Sequence, residues 1–459
     1  MKHWRTLRVC AVSCALLGLW QTSASAGPLD PPVGPVAPSY KTLDQVRPGT
    51  PIDTIPYLIT QPGTYFLTGN FSHAGPGSAI IVEAPDVTID LGGFSLTGPG
   101  PDSGINGVET ITTGANLRLH NGTINSFDTG VIGVGRNAQI IGVRVSGNGY
   151  GISAAASLIS GCTAVENTHV GITTQLAQYT IPGYGSAASS SAAVVEHCSA
   201  IANGEAGYVI AEGALLVDSS ASINKRFGIN TTGACRIQRC NVSGTVADGS
   251  TPGYGVALAS GANITDTTVR GCATGGIFLA SSRNVVKGCN VSNNGQFGIG
   301  GLDSNGQIAN GFYAEISDCH VAGHTASPGY GIAVTSDCSI TNNVVMNNLY
   351  AGIIVQGGGN RIIGNQGRGN GATGGSFNFS GQIVIFGDRN HIESNACNNG
   401  PWNGIFVLTT RNVVIRNVCG GNPNVNYFIA SGNNAGPIID RVAAGSNITT
   451  SDPSANISY

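Results

Sequence analysis

The amino-acid sequence predicts an all-β solenoid, a coil of short parallel strands stacked on itself, and three observations predict it. First, a phrase recurs along most of the chain: a polar or small residue, an apolar residue, Asn, then a Gly-Ile pair. It reads SGCTAVENTHVGI at 160–172, KGCNVSNNGQFGI at 287–299 and TNNVVMNNLYAGI at 341–353. Second, the apolar member of that pair marks a period. It falls at Ile152, Ile172, Ile229, Val256, Ile277, Ile299, Ile332, Ile353, Ile383 and Ile405, and many neighbours stand 20–22 residues apart. A fixed period of this size is the signature of a repeat architecture. Third, apolar residues alternate with polar ones, as in Cys289-Asn-Val291-Ser, with no helical spacing, and Gly and Asn punctuate every unit. A unit this short holds about three strands and their turns, stacked ~4.8 Å from the next unit.

Taken in order, the chain opens with a secretory-signal pattern over 1–26. Lys2, Arg5 and Arg8 precede the apolar run Val9–Trp20, and Ala24-Ser25-Ala26 is a small-residue cleavage site. The run is too short to span a bilayer, so no transmembrane anchor is expected after cleavage. The expected location is secreted, periplasmic or at the cell surface. Residues 27–63 read as a Pro-rich linker and lead-in. The repeat domain is expected over 64–435, opening with GTYFLTGNF and VTIDLGGFSLTG, which would cover the first open end. Residues 436–459 are expected to be a cap or a tail.

A second marker precedes each Gly-Ile pair: Asn121, Val143, Cys162, Cys198, Ser220, Cys240, Thr267, Cys289, Cys319, Asn343, Asn365, Asn395 and Asn417. These positions predict about 13 coils. The run from Asn343 to Asn417 predicts an asparagine ladder, with side chains hydrogen-bonding from coil to coil. Cysteines recur in the same slot, which favours small buried fillers over bridges, although an exported chain admits disulfides. No Cys-x-x-Cys pair stands near a His partner, so no zinc site is expected, nor any other metal or cofactor.

Charged residues make up 10% of the chain and the net charge is −3, against a usual charged share of about 25%. That balance gives no electrostatic footing for nucleic acid or an anionic membrane. It suits a narrow continuous core.

The repeat, the VTIDLGGFSLTG phrase and the Asn ladder together resemble the right-handed parallel β-helix proteins of the pectin-lyase-like superfamily, over roughly 64–435. The resemblance implies the fold and leaves the activity open, because that fold carries lyases, hydrolases, epimerases, esterases and adhesins. Acidic motifs of the polygalacturonase type, the Gln pair and Asp of the pectin methylesterases and the Asp-Pro-His-Glu of the alginate epimerases do not occur in this sequence. In family enzymes the sheet bearing the Gly-Ile strands borders the substrate groove. The outward residues there are Ser153, Thr173, Asn230, Ala257, Phe278, Gly300, Ala333, Ile354, Val384 and Phe406, and none is charged. Phe278, Ile354, Val384 and Phe406 form either an exposed partner patch or a face that insertions cover.

Chemistry, if present, is expected at Lys225 and Arg226 beside a Gly-Ile strand, and at His169, His320 and His324. Tyr184, Tyr254 and Tyr330, each within a Pro-Gly-Tyr-Gly turn, are candidate sugar-stacking platforms; the alternative is a packed aromatic stack. The expected function is an exported protein that binds polysaccharide or a surface partner without turnover. The alternatives are a polysaccharide lyase, hydrolase or uronate epimerase with an atypical site, and a structural surface protein that self-associates.

Overall fold

The structure is a computed structural model that describes residues 48–459 apart from 112–115, 134–136, 176–191, 303–306, 309–310, 372–379 and 442–447. The expected signal, residues 27–47 of the expected linker and lead-in, and Tyr184 lie outside the described residues. Pro48–Tyr459 forms one compact unit. No helix among the described residues is long and apolar enough to cross a membrane.

Most coils contribute one strand to a 16-stranded sheet and two to a 32-stranded sheet that folds round the other sides, while Leu117–Asn125 and Gln139–Ser146 each run as one long strand of the latter. A representative coil runs Tyr150–Ala154, then Leu158–Ser160, then Thr163–Val165. Pairing is parallel and keeps the phase read from the sequence: Ile152 faces Ile172, Val256 faces Ile277 and Ile353 faces Ile383. Between Ile172 and Ile229 the marker position is held by Tyr208, which carries Gly before it but no Ile.

Among the described residues, sixteen strands in the single-strand sheet mean sixteen coils, against about 13 expected. The missed coils lie at the ends. The first two, entered at Tyr57–Ile59 and Ile80–Val82, have neither the Gly-Ile pair nor an Asn or Cys marker. Strand pairing therefore begins before Thr64, with Thr50–Ile52 beside Tyr65–Leu67. The last coil is completed from 436–459, where Asn456–Ser458 lies against Ile438–Asp440 and its Ile457 faces Val418.

The interior is a single column system of aliphatic side chains. Ile159, Val195, Leu216, Ile237 and Ile264 face one another in successive coils and are fully buried. The turns that close the coils carry backbone N–H groups that no sheet satisfies, and three asparagine ladders satisfy them. The expected ladder runs Asn343, Asn365, Asn395, Asn417 and on to Asn456. In each step one Oδ1 accepts both the backbone N–H and the Nδ2–H of the coil before, at 2.9–3.1 Å. Two slots are corrected by the register. Gly122, and not Asn121, faces Val143. Ser219, and not Ser220, accepts the Cys198 N–H, at 3.1 Å.

The second ladder, through Asn148, Asn167, Asn203 and Asn224 and again through Asn348 and Asn370, supplies the Asn of the recurring phrase. The third runs Asn360, Asn390, Asn412 and Asn433. The second ladder also explains the Gly of the Gly-Ile pair. A Cβ at Gly207 would stand 2.7 Å from Asn224 Nδ2, so only glycine leaves the ladder amide its place. One coil reverses the arrangement. Gly400 stands in the ladder slot, and Gln382, in the glycine position, turns its amide inward to accept from Asn370 Nδ2 at 2.6 Å. Gln382→Ala is expected to cost about 2 kcal/mol, the penalty of leaving that buried amide donor unpaired, read as a lower denaturation midpoint.

The ten cysteines of the described residues are all buried and unbridged. Cys198 Sγ accepts the Cys162 N–H at 3.4 Å, so these side chains act as ladder links and fillers.

Candidate functional site

The outward residues of the 16-stranded sheet form one register column, and its apolar stretch is covered. Ala333, Ile354, Val384 and Phe406 are buried in a second hydrophobic cluster with Tyr254, Phe297, Leu302 and Ile308. Leu302 and Ile308 belong to the long step between Ile299 and Ile332, so an insertion contributes to the cover. An exposed partner patch at these residues is thereby ruled out. Tyr254 is part of that packing: its ring stacks on Phe278 at 4.4 Å and 7° and lies 5.9 Å from Phe297. It is a packed aromatic and not a sugar platform.

Tyr330 lines a cleft. With Tyr350, Gln307, Gln356, Ser380, Phe386 and Ile354 it encloses about 300 Å³. The two tyrosine rings meet edge to face at 6.4 Å. Stacking brings all of these but Gln307 together from three coils, because Tyr330 faces Ala351, which faces Gly381, while Gln307 comes from the insertion before Tyr330. Ser380 and Tyr350 immediately precede those strands, and Gln356 and Phe386 immediately follow them. Burial, then the neighbouring Tyr350, raises the Tyr330 phenol above its ordinary pKa, so the ring stays neutral. Tyr350, Gln307, Gln356 and Phe386 were missed in the sequence. Tyr350 stands just before the aromatic slot of the repeat, and position in the phrase was the only available signal. A larger hollow of about 610 Å³ lies among the C-terminal turns from Asn399 to Tyr459. It is more open and has a single aromatic ring, so it offers less purchase to a ligand.

The charged candidates divide. His169 and Arg226 meet at the entry edge of the same sheet. His169 Nε2 lies 3.3 Å from Asp102 Oδ1, and its Nδ1 lies 3.8 Å from Glu205 Oε1. Arg226 Nη1 lies 3.3 Å from that same Glu205 oxygen. Tyr150 stacks on the His169 ring at 5.0 Å. Burial, then Glu205, Asp128 and Asp102, raises the Tyr150 phenol above its usual range. Lys225 turns away to Asp248, 3.5 Å distant. Both His169 nitrogens face carboxylates and Arg226 faces one as well, so the charges of this cluster are engaged with one another.

The other two histidines are not part of it. His320 is exposed on the 32-stranded sheet, between Asn290 and Val344. His324 is fully buried and occupies a rung of the second ladder: its Nδ1 accepts the Asn294 N–H at 3.2 Å, and its own N–H goes to Asn348 Oδ1 at 3.1 Å. It is a structural link, out of reach of any substrate. Among the described residues no group of three His, Cys, Asp or Glu side chains is placed to hold a metal ion.

The model of the right handed beta helix region matches residues 227–374. That stretch covers six successive entry strands of the 16-stranded sheet, from Phe227–Thr231 to Ala351–Val355, with their ladder turns. The chain is a right-handed parallel β-helix. No curated protein sequence matches this β-helix. Similar solved structures include the periplasmic alginate epimerase AlgG (10% identity, 75% of this chain and 77% of that one, TM-score 0.39). A mannuronic acid specific polysaccharide family 6 lyase from human gut microbiota is similar at 10% identity, over 78% and 82% of the two chains, with a TM-score of 0.40. PfbA, a surface adhesin of Streptococcus pneumoniae, is similar at 11% identity, over 73% and 82%, with a TM-score of 0.34.

Proposed function

We propose that this protein is an exported β-helix that binds polysaccharide and does not turn it over. The observation that carries this reading is the cleft at Tyr330 and Tyr350. Concave sites with a few fixed polar groups among aromatic walls are where small ligands seat. A pyranose ring has two apolar C–H faces and a rim of hydroxyls. Tyrosine rings offer flat apolar area with a polar tip for the former. The Gln356 amide and the Ser380 hydroxyl, both in the cleft lining, supply donors and acceptors for the latter. Three stacked coils hold these groups on a scaffold that ladders and core make stiff, which limits the ordering cost of binding. Acid–base cleavage needs a titratable group aimed at the substrate, and among the described residues the cleft lining holds no carboxylate, imidazole or amine.

A second reading, a lyase, hydrolase or epimerase, rests on the cluster of Tyr150, His169, Glu205 and Arg226. That cluster and the Tyr330–Tyr350 pair lie on the same edge of one sheet, with four coil steps from Arg226 to Tyr330 and six from His169, roughly 19–29 Å at ~4.8 Å per coil. One polymer could reach both.

Affinity electrophoresis in gels cast with single polysaccharides tests the first reading. Retardation of the parent protein is expected in at least one gel, and loss of that retardation in the Tyr330→Ala/Tyr350→Ala double variant. Retardation that survives both substitutions would refute the cleft as the site. Polymer cleavage that His169→Ala abolishes would establish the second reading in its place.

A further inference from the structure

We infer that the turns of the C-terminal coils carry a second binding surface, a basic strip of Arg361, Arg389 and Arg411 that takes an acidic polysaccharide. The inference stands on these turns alone and does not depend on the cleft being a sugar site. The turn that follows each strand of the 16-stranded sheet has a left-handed slot two residues before the next strand. In successive coils that slot holds Asp337, Gly359, Arg389, Arg411 and Gly432, with φ from 57° to 84°. Such a backbone favours glycine, and glycine stands on both sides of the two arginines. A long side chain kept at a strained position is an outlier that points to function.

Each arginine of the slot immediately precedes a rung of the third ladder. The Asn390 N–H donates to Asn412 Oδ1 and the Asn412 N–H to Asn433 Oδ1, both at 2.8 Å. Both arginine side chains therefore leave a fixed backbone one coil apart, ~4.8 Å. Arg361 lies on the coil before, where its strand position faces His391. All three arginines are exposed, and among the described residues none has an ion-pair partner; nearby Glu393 is taken by Arg416, at 2.8 Å. Asp388 and Asp337 stand close by, yet between 361 and 416 five arginines face two carboxylates, in a chain whose net charge is −3. The undescribed segments 372–379 and 442–447 bring no charge, and 303–306 brings only Asp303. Guanidinium groups in a row on an open edge fit a ligand with several acids, because each planar fork can hold a carboxylate by two bonds. Duplex DNA carries a charge every ~1.7 Å and calls for a longer basic stripe. Three arginines over two coil steps, ~10 Å, suit a chain with one acid per sugar.

Titration calorimetry of the purified protein tests the strip, with an oligouronate, a neutral glucan oligosaccharide of equal length and a short DNA duplex as probes. The oligouronate is expected to bind, and less tightly as salt is raised. The double variant Arg389→Gln/Arg411→Gln should weaken it roughly tenfold or more, the loss of a charge-assisted contact. The control Arg236→Gln/Arg270→Gln removes two arginines elsewhere on the helix and should change the affinity by no more than about twofold. All four positions are exposed, so both variants are expected to fold. Tyr330→Ala/Tyr350→Ala should leave the oligouronate affinity unchanged, which separates the strip from the cleft. An oligouronate that does not bind, or that binds the Arg389/Arg411 variant as tightly as the parent, would overturn the strip. Equal losses in the two arginine variants would overturn it too, since bulk charge would then explain the binding. A duplex that binds as tightly as the oligouronate, and is lost in the same variant, would overturn the polysaccharide partner.

Discussion

Asn365→Ala is expected to destabilise the protein by about 3 kcal/mol, because it orphans two buried donors at once. Asn365 Oδ1 accepts the Asn343 N–H and the Asn343 Nδ2–H, each at 3.0 Å. Its own Nδ2 donates to the Ile340 carbonyl at 2.9 Å and to Asn395 Oδ1 at 3.0 Å. Alanine removes these contacts inside the helix, where Asn343 and Asn395 above and below are themselves buried. Urea denaturation read by circular dichroism measures the effect. Asn290→Ala is the control: that asparagine is exposed on the outside of the 32-stranded sheet, so its loss should stay within about 0.5 kcal/mol. Equal midpoints for the two variants would mean that the ladder contributes nothing to stability.

Acid should unfold the protein through His324. Burial lowers its pKa from the ordinary 6.5 to about 4, because an imidazolium there would be stripped of water. With Nδ1 accepting the Asn294 N–H, the neutral ring carries its proton on Nε2, which has no hydrogen-bond partner, and a second proton at Nδ1 would break that bond. The unfolded chain therefore binds a proton between pH 6.5 and 4 that the folded chain refuses, and stability falls as pH drops through that window. The loss integrates to about 2 kcal/mol at pH 5 and about 3 kcal/mol at pH 4, with almost none at pH 7. His324→Asn continues the ladder with the residue that its neighbours Asn294 and Asn348 use. It should leave stability at pH 7 within about 1 kcal/mol and remove this part of the acid sensitivity. Parallel pH profiles for the two proteins would show that His324 does not set the acid limb.

The solenoid was legible because each coil repeats one physical problem. Every unit must bury an aliphatic column, satisfy its turn amides and let a ladder side chain through, and the phrase Asn…Gly-Ile answers all three. What escaped the reading depends on register. The first two coils and the last bury the same column without the phrase, and the residue that closes the last rung, Asn456, comes from a stretch that reads as polar tail. His324 looked chemical because a histidine is seldom a rung; only the pairing of Val321 between Val291 and Val345 puts it on the ladder. The outward apolar residues were placed on the right face. Their burial under insertions was one of two readings the sequence left open, since Leu302 and Ile308 come from an insertion whose path the repeat does not determine. Tyr330 was found by its turn. Its partners were not, because Tyr350, Ser380 and Phe386 occupy different places in the phrase and meet only through stacking. His169 and Arg226 are brought together by the same stacking, with Glu205 between them, whereas Lys225 and His320 join neither site.

The proposed function requires a polymer to be held and left intact. The direct measurement is mass spectrometry of the soluble products after the purified protein has been incubated with polysaccharides that retard it in affinity gels. The account predicts retention with no new oligosaccharides. Fragments with an unsaturated or a water-added end, dependent on His169, would contradict it and move the function to the charged edge of the helix.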